Sequence, residues 1–188
     1  ESGKKLYNSF QSGDVKRIML IGKAKDFVDS ITKKALEKDN QFKKKLYSND
    51  LISVSLDGKE VNLTKQQILS LYMLSKRSQA LQHMIYGDGI IVGKMRDPVR
   101  VTMSELQKIF NDHLSNADRE FATKLQEFLS TEVAEWGNEI TRKEFGYDKF
   151  TEEFYFPIKV YQNTIDTKDS SVNENAGFYA IRNFSATK

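Results

Sequence analysis

Apolar residues near the start of the chain recur every three or four places. Val15, Ile18, Leu20, Ile21, Ala24, Val28, Ile31 and Ala35 lay a stripe along one side of a helix over 14–38. Ser12, Gly13 and Asp14 supply its entry cap, and a short second helix holds Phe42, Leu46 and Tyr47. The period then changes from helical to alternating. Ile52, Val54 and Leu56 lead into Asp57-Gly58, and Val61 and Leu63 lead out of it. An Asp-Gly pair tolerates positive φ, so 52–63 is predicted to be a tight antiparallel hairpin.

Three capping signatures follow, each pairing a hydroxyl with a polar side chain three residues on: Thr64 with Gln67, Thr102 with Glu105, and Ser115 with Asp118. The first opens a helix through Ile68, Leu71, Leu74 and Leu81 to about Met84, stopped at Gly87-Asp88-Gly89. The second opens a helix through Leu106, Ile109, Phe110 and Leu114. The third opens one long helix carrying Phe121, Leu125, Phe128, Val133, Trp136 and Ile140, with Gly146 placed as its left-handed cap. Between the first two, Ile90–Val92 and Val99–Val101 flank a turn near Asp97-Pro98, and are expected to pair with each other or to extend the first hairpin.

After Gly146 the pattern becomes aromatic and partly alternating, through Phe150, Phe154, Phe156, Ile158, Val160 and Tyr161. Pro157 argues against a central strand, so the stretch reads as an edge strand or an extended wrap over the helices. Residues 163–175 are polar, and Phe178, Tyr179, Ile181 and Phe184 return apolar character near the end. The expected fold is α+β and mainly helical: four to five helices with one or two small antiparallel hairpins, 52–63 and 90–101. The chain reads as a single domain, 1–188. A basic helical segment (1–50) precedes a helical body (62–161) and an extended tail (162–188).

Composition changes this picture only by exclusion. Hydrophobic residues at 39%, with 12 Phe and 8 Tyr, exclude a disordered chain. The absence of cysteine removes disulfides, thiolate metal sites and cysteine nucleophiles from this chain, and a cytoplasmic setting is the simpler reading. No apolar run approaches the roughly 20 residues of a membrane span. The chain opens Glu1-Ser2-Gly3 rather than with Met, and ends at Lys188 soon after apolar residues, so a piece of a longer protein is expected.

The net charge of +3 is unevenly spread, because residues 1–50 hold 12 Lys/Arg against 7 Asp/Glu. The surplus concentrates in Lys33, Lys34, Lys38, Lys43, Lys44 and Lys45, a candidate interaction surface for nucleic acid, although such runs are most often a solvated helical face. His83 and His113 stand 30 residues apart, outside any metal-ligand spacing, and read as structural. Gly87-Asp88-Gly89 follows a helix instead of opening one and lacks the third glycine of a dinucleotide loop. Glu132, Glu135 and Glu139 line one helical side near Trp136, a carboxylate cluster of the kind glycosidases use. Arg142 and Lys143 lie within one turn of Glu139, so surface ion pairs explain the cluster more simply. The aromatic stretch offers a second candidate surface, Tyr155, Phe156 and Tyr161, for stacking on bases or for docking a partner. No catalytic, cofactor-binding or metal-binding residue is assigned, and no cofactor is expected.

Two blocks carry a resemblance. Asn62-Leu-Thr-Lys-Gln-Gln-Ile-Leu-Ser-Leu-Tyr-Met-Leu-Ser-Lys-Arg77 is one. Trp136-Gly137-Asn138-Glu139, continuing through Phe150-Thr-Glu-Glu-Phe-Tyr-Phe-Pro-Ile-Lys159, is the other. Both resemble segments of very large multidomain (polyvalent) proteins of tailed phages and prophages, over about residues 62–161. Those proteins string peptidase, methyltransferase, helicase or toxin-like modules between helical regions. The resemblance assigns no chemistry to any residue here. It implies a non-catalytic structural or interaction module, cytoplasmic or virion-associated, whose partners are neighbouring segments of the parent polypeptide or other phage proteins. The alternatives are a nucleic-acid-binding module using the basic 1–50 segment and a carboxylate-dependent hydrolase. No membrane association is expected. The aromatic segment is expected to latch the helical body to the C-terminal extension, with Phe156 buried.

Overall fold

The computed structural model describes the backbone of residues 2–87, 89–91, 98–156, 159–161 and 179–181, with side chains for 13–87, 89–91 and 98–156. The architecture is α+β and mainly helical. Helix α1 (Ser2–Lys38) is followed by α2 (Phe42–Leu46), the hairpin strands β1 (Ile52–Leu56) and β2 (Lys59–Leu63), then α3 (Lys65–Ser75) and α4 (Ser78–Tyr86). The two-residue strand β3 (Ile90–Ile91) precedes α5 (Met103–His113) and α6 (Asn116–Phe128). A π-helical turn, Leu129–Val133, joins α6 to α7 (Ala134–Phe145), and β4 (Lys159–Tyr161) and β5 (Tyr179–Ile181) complete the described elements.

The hairpin forms as its sequence dictates. Asp57 and Gly58 both adopt positive φ, at 54° and 68°, and Leu56 pairs with Lys59 across the turn. Such a turn matches the right-handed twist of its strands. Alternation then buries Val54, Leu56, Val61 and Leu63 and exposes Ser53, Ser55, Glu60 and Asn62. The inward side chains meet Phe42 and Leu46 of α2, Ile68 and Leu71 of α3, and Leu106 and Phe110 of α5 in one continuous core.

All three capping boxes form, with hydroxyl and N3 side chain each accepting from the other's backbone N–H. The middle one does more. Glu105 accepts from the N–H of Thr102 at 2.8 Å and also from the N–H of Asp57 in the hairpin turn at 2.9 Å, so one carboxylate ties α5 to β1–β2. Nearby, Lys65 bonds the Asp118 carboxylate at 2.6 Å and the His113 carbonyl oxygen, joining α3 to the corner between α5 and α6.

Helix α1 runs antiparallel along the α6–α7 rod. Lys38 meets Glu120, Phe27 stacks on Phe128 with centroids 4.0 Å apart, and Lys16 meets Glu139. Trp136 meets the Phe128 ring edge-on, extending the aromatic contact onto α7.

Four expectations are corrected. Helix α1 begins at Ser2, so Ser12-Gly13-Asp14 lies inside it and caps nothing. Its apolar stripe is not one face: Ile31 and Ala35 are buried, whereas Val15, Ile18 and Ile21 are exposed. The predicted helix from Thr64 to Met84 is two helices, because Arg77 takes an extended conformation between α3 and α4. The predicted long helix contains a π turn, which hydrophobic spacing alone does not mark.

Of the two short extended pieces, Ile90 and Val99 exchange backbone bonds of 2.9 and 2.8 Å, so they pair with each other rather than with the first hairpin. Gly89, at φ 82°, crosses so close to Val99 that a Cβ there would sit 2.4 Å from its carbonyl oxygen. Strand β3 also pairs antiparallel with β5, which pairs parallel with β4. The expectations for Val92, Asp97, Pro157, Ile158, residues 163–175, Phe178 and Phe184 lie outside the described residues.

The Glu105 clamp has a pH signature. Burial opposes its ionisation, but the N–H groups of Thr102, Asp57 and Gly58 and the Thr102 hydroxyl outweigh that and hold its carboxyl below the ordinary value of 4.5. A carboxyl lowered on folding contributes stability in full above its unfolded pKa and loses it as pH falls through the folded one. Urea denaturation should therefore show stability falling from about pH 5 downward, and Glu105→Gln should flatten that slope while costing about 1 kcal/mol at pH 7.

Candidate interaction site: a strap clamped to the helices

Beyond Gly146, which ends α7 in the left-handed conformation at φ 80°, the chain turns back along the helical rod. Residues 149–156 lie in no helix or strand, so their backbone groups need partners elsewhere. Side chains of the helices supply them, buried ones in Gln126, Asn138 and Thr141. The Asn138 amide donates to the Phe150 carbonyl oxygen at 2.9 Å and accepts from the Phe150 N–H at 2.8 Å. Thr141 Oγ1 accepts from the Lys149 N–H, and Ser130 Oγ accepts from the Tyr155 N–H at 2.8 Å. Gln126, fully buried, donates from Nε2 to the Phe154 carbonyl oxygen at 3.0 Å and to the Met73 carbonyl oxygen in the last turn of α3 at 2.8 Å.

The neighbouring residues make room for this strap. Gly137 packs against the Phe150 ring, and a Cβ there would fall 2.6 Å from two ring carbons. Trp136-Gly137-Asn138 thus reads in physical terms: a ring for the aromatic stack, a gap for Phe150, and an amide for its backbone. The π turn matters as well. In a regular helix residues twelve apart, such as Gln126 and Asn138, differ by about 120° around the axis. One extra residue taken up in a wide turn shifts the phase by about 100°, bringing both amides to nearly the same face. Phe154 takes a positive φ of 53°, unusual for an aromatic residue, between the bonds that fix its carbonyl and the next N–H.

Arg77, at the break between α3 and α4, closes the far end. Its side chain is 8% exposed, pairs with Glu152 at 2.7 Å and donates to the Phe156 carbonyl oxygen at 3.4 Å. Its guanidinium also stands 5.9 Å from the centre of the Tyr155 ring. Between this junction and the strap lies an open cleft of about 440 Å³, lined among others by Lys76, Ser78, Glu152 and Glu153. Lys76 is engaged with Thr123 Oγ1 at 2.6 Å and the Tyr72 ring, and Arg77 with Glu152, so both cations of the cleft are held from within.

The expected surface residues are distributed as follows. Phe156 is half-buried against the core, and Tyr155 is 37% exposed. Tyr161 lies in β4, and its side chain is outside the described residues. Lys33 and Lys34 on α1 and Lys43 and Lys44 on α2 are exposed, while Lys45 pairs with Asp39 at 2.8 Å. That contact holds the Asp39 carboxyl below its ordinary value, assisted by the Gln41 N–H.

Two of the three clustered glutamates are spent on ion pairs. Glu135 bonds Arg142, which also reaches Asp148 at 3.1 Å, and Glu139 bonds Lys16 at 2.7 Å. The Lys16 contact lowers the Glu139 carboxyl, opposite to what a general acid requires, and Glu132 is exposed in the π turn. Among the described residues no three His, Asp or Glu side chains gather to hold a metal ion.

Sequence reading missed Arg77, Gln126, Ser130, Asn138 and Thr141. The available signal was polar residues at helical spacing beside apolar ones, which is equally the pattern of a solvated flank. Comparison with protein-family models, curated proteins and solved structures gave no match to this chain.

Asn138→Ala should leave both backbone groups of Phe150 unpaired and lower stability by about 2 kcal/mol in urea denaturation. Phe156→Ala, at a half-buried ring, should cost about 2 kcal/mol, and Glu135→Gln, on the surface, less than about 0.5 kcal/mol. A near-neutral Phe156→Ala would mean that the ring contributes nothing to the core.

Proposed function

We propose that this chain is a non-catalytic structural or interaction module of a large phage- or prophage-type multidomain protein, acting in the cytoplasm or in the virion. The observation that carries the reading is the use made of its distinctive residues. Thr64, Gln67 and Arg77 of the first block, and Trp136, Gly137, Asn138, Phe150 and Glu152 of the second, are engaged in capping, packing and strap clamping. Each polar group bonded within the fold is one fewer to meet a substrate. The lowered carboxyls at Asp39, Glu105, Glu120 and Glu139 fit the same pattern, since their partners are local lysines or backbone groups. No helix among the described residues is long and apolar enough to cross a membrane. The partners consistent with this reading are neighbouring segments of the parent polypeptide or other phage proteins.

One observation favours a second reading. The exposure of Lys33, Lys34, Lys43 and Lys44 leaves their charges open to phosphate, as a nucleic-acid-binding module requires. The two readings separate on a salt gradient. A structural module elutes early from heparin and from duplex or single-stranded DNA, and charge reversal at those four lysines changes little. Retention past physiological salt, with a steep log-linear salt dependence abolished by the reversal, overturns the structural reading in favour of nucleic acid. The surrounding open reading frame provides the second test. Further modules on the same polypeptide are expected, and a short frame holding this domain alone would contradict the assignment.

A further inference from the structure

Helix α1 presents two unlike faces. The one turned to α6 and α7 carries Phe27, Ile31 and Ala35 and, further up, Lys16 paired with Glu139 at 2.7 Å. Away from that seat stand Val15 at 67% exposure, Ile18 at 64%, Met19 at 51% and Ile21 at 58%. At about 100° per residue Val15 and Ile18 fall opposite its contacts with the body, with Met19 and Ile21 on the two flanks. A face that met only water would carry charge. Large apolar side chains grouped opposite a helix's own seat mark a surface that a partner covers.

The order of residues along this face identifies the partner. Asp14, Ile18, Ile21 and Lys25 are spaced four, three and four apart, the interval of a helix–helix seam, and fall within an arc of about 60°. Read from either end, the sequence is charge, isoleucine, isoleucine, opposite charge. Against a second copy running antiparallel, Ile18 meets the partner's Ile21 and Asp14 meets the partner's Lys25, each contact made twice by the two-fold axis. A parallel approach would set like charges together at both ends. Among the described residues of one copy Asp14 pairs with Arg17, at 3.6 Å with both side chains exposed, a contact cheaply exchanged.

We propose that two copies of this chain associate antiparallel through the outward face of α1, with Ile18 and Ile21 at the centre and Asp14–Lys25 pairs at the ends. The proposal stands on α1 alone and is independent of the structural-module reading, whose salt-gradient and reading-frame tests do not touch it. A contact confined to these turns falls at the small end of specific interfaces, below about 1,200 Å² in total, the size of weak and transient association. Sedimentation velocity of the intact chain between about 1 and 200 µM should show monomer giving way to dimer. Ile18→Asp should abolish the dimer with an unchanged circular dichroism spectrum, because the side chain is 64% exposed in the single copy. Lys25→Asp should weaken association about tenfold by placing acid against acid, and adding Asp14→Lys should restore it. A chain that stays monomeric throughout leaves the face to another occupant and overturns the proposal. So does a dimer indifferent to Ile18→Asp, or a double reversal that fails to restore what the single reversal lost.

Discussion

Backbone that enters neither helix nor sheet must still pair its N–H and C=O groups where water is excluded, and an unpaired buried group costs more than most single contacts contribute. Residues 149–155 are exposed, yet the N–H groups of Lys149, Phe150 and Tyr155 and the carbonyl oxygens of Phe150, Phe154 and Phe156 bond to side chains of the helices they cross. Gln126 is the central member, because one fully buried amide group holds the strap at Phe154 and the end of α3 at Met73. Its Oε1 has no partner among the described residues, and the two bonds from Nε2 fix the sense of the amide, since reversal would set oxygen against two carbonyls. Asn138 repeats the device further along and serves both backbone groups of Phe150. Together with Arg77 these residues turn a rod of helices and a loose return segment into one body.

That arrangement depends on the rod having the right phase and a firm support. The π turn brings Gln126 and Asn138 to a common side, and Ser130 within it serves the Tyr155 N–H. From behind, α1 supports the rod with the Phe27–Phe128–Trp136 stack at its middle and ion pairs near either end. The ion pairs are exposed and contribute modestly; the aromatic rings and the apolar residues of lower α1 supply most of the adhesion. The core continues from the α1–α6 seam, through Ile31, Ala35 and Phe121, to the hairpin, α3 and α5, where Leu56, Leu63, Ile68, Leu71 and Leu106 are fully buried.

Local chemistry was the legible part of the sequence. The hairpin turn at Asp57-Gly58, the three capping boxes and the Gly146 cap each depend on a few adjacent residues, and each forms as read. What failed to show were features decided at a distance. Nothing near Lys76 or Arg77 marks a helix break, because Arg77 turns outward from helical geometry to reach Glu152 and Phe156 far along the chain. The apolar stripe of α1 read as one side of a helix, and periodicity reports that a side is apolar and not whether anything covers it. The strap's clamps were invisible for a related reason, since buried Gln, Asn and Thr look the same in sequence as wetted ones. The basic segment was legible as charge, and the structure adds that Lys45 is partly spent on Asp39 while Lys33, Lys34, Lys43 and Lys44 stay open.

The functional reading therefore rests on how the fold employs its least ordinary residues, and the clamp is its central claim. Backbone amide hydrogen exchange of the intact chain, resolved by residue, tests that claim directly. If helix side chains hold the strap, the N–H groups of Phe150 and Tyr155 exchange more slowly than free, solvated amides, although they belong to no helix or sheet. Exchange of both at the rate of free, solvated amides would contradict the clamp, and with it the account of why Gly137, Asn138 and Gln126 stand where they do.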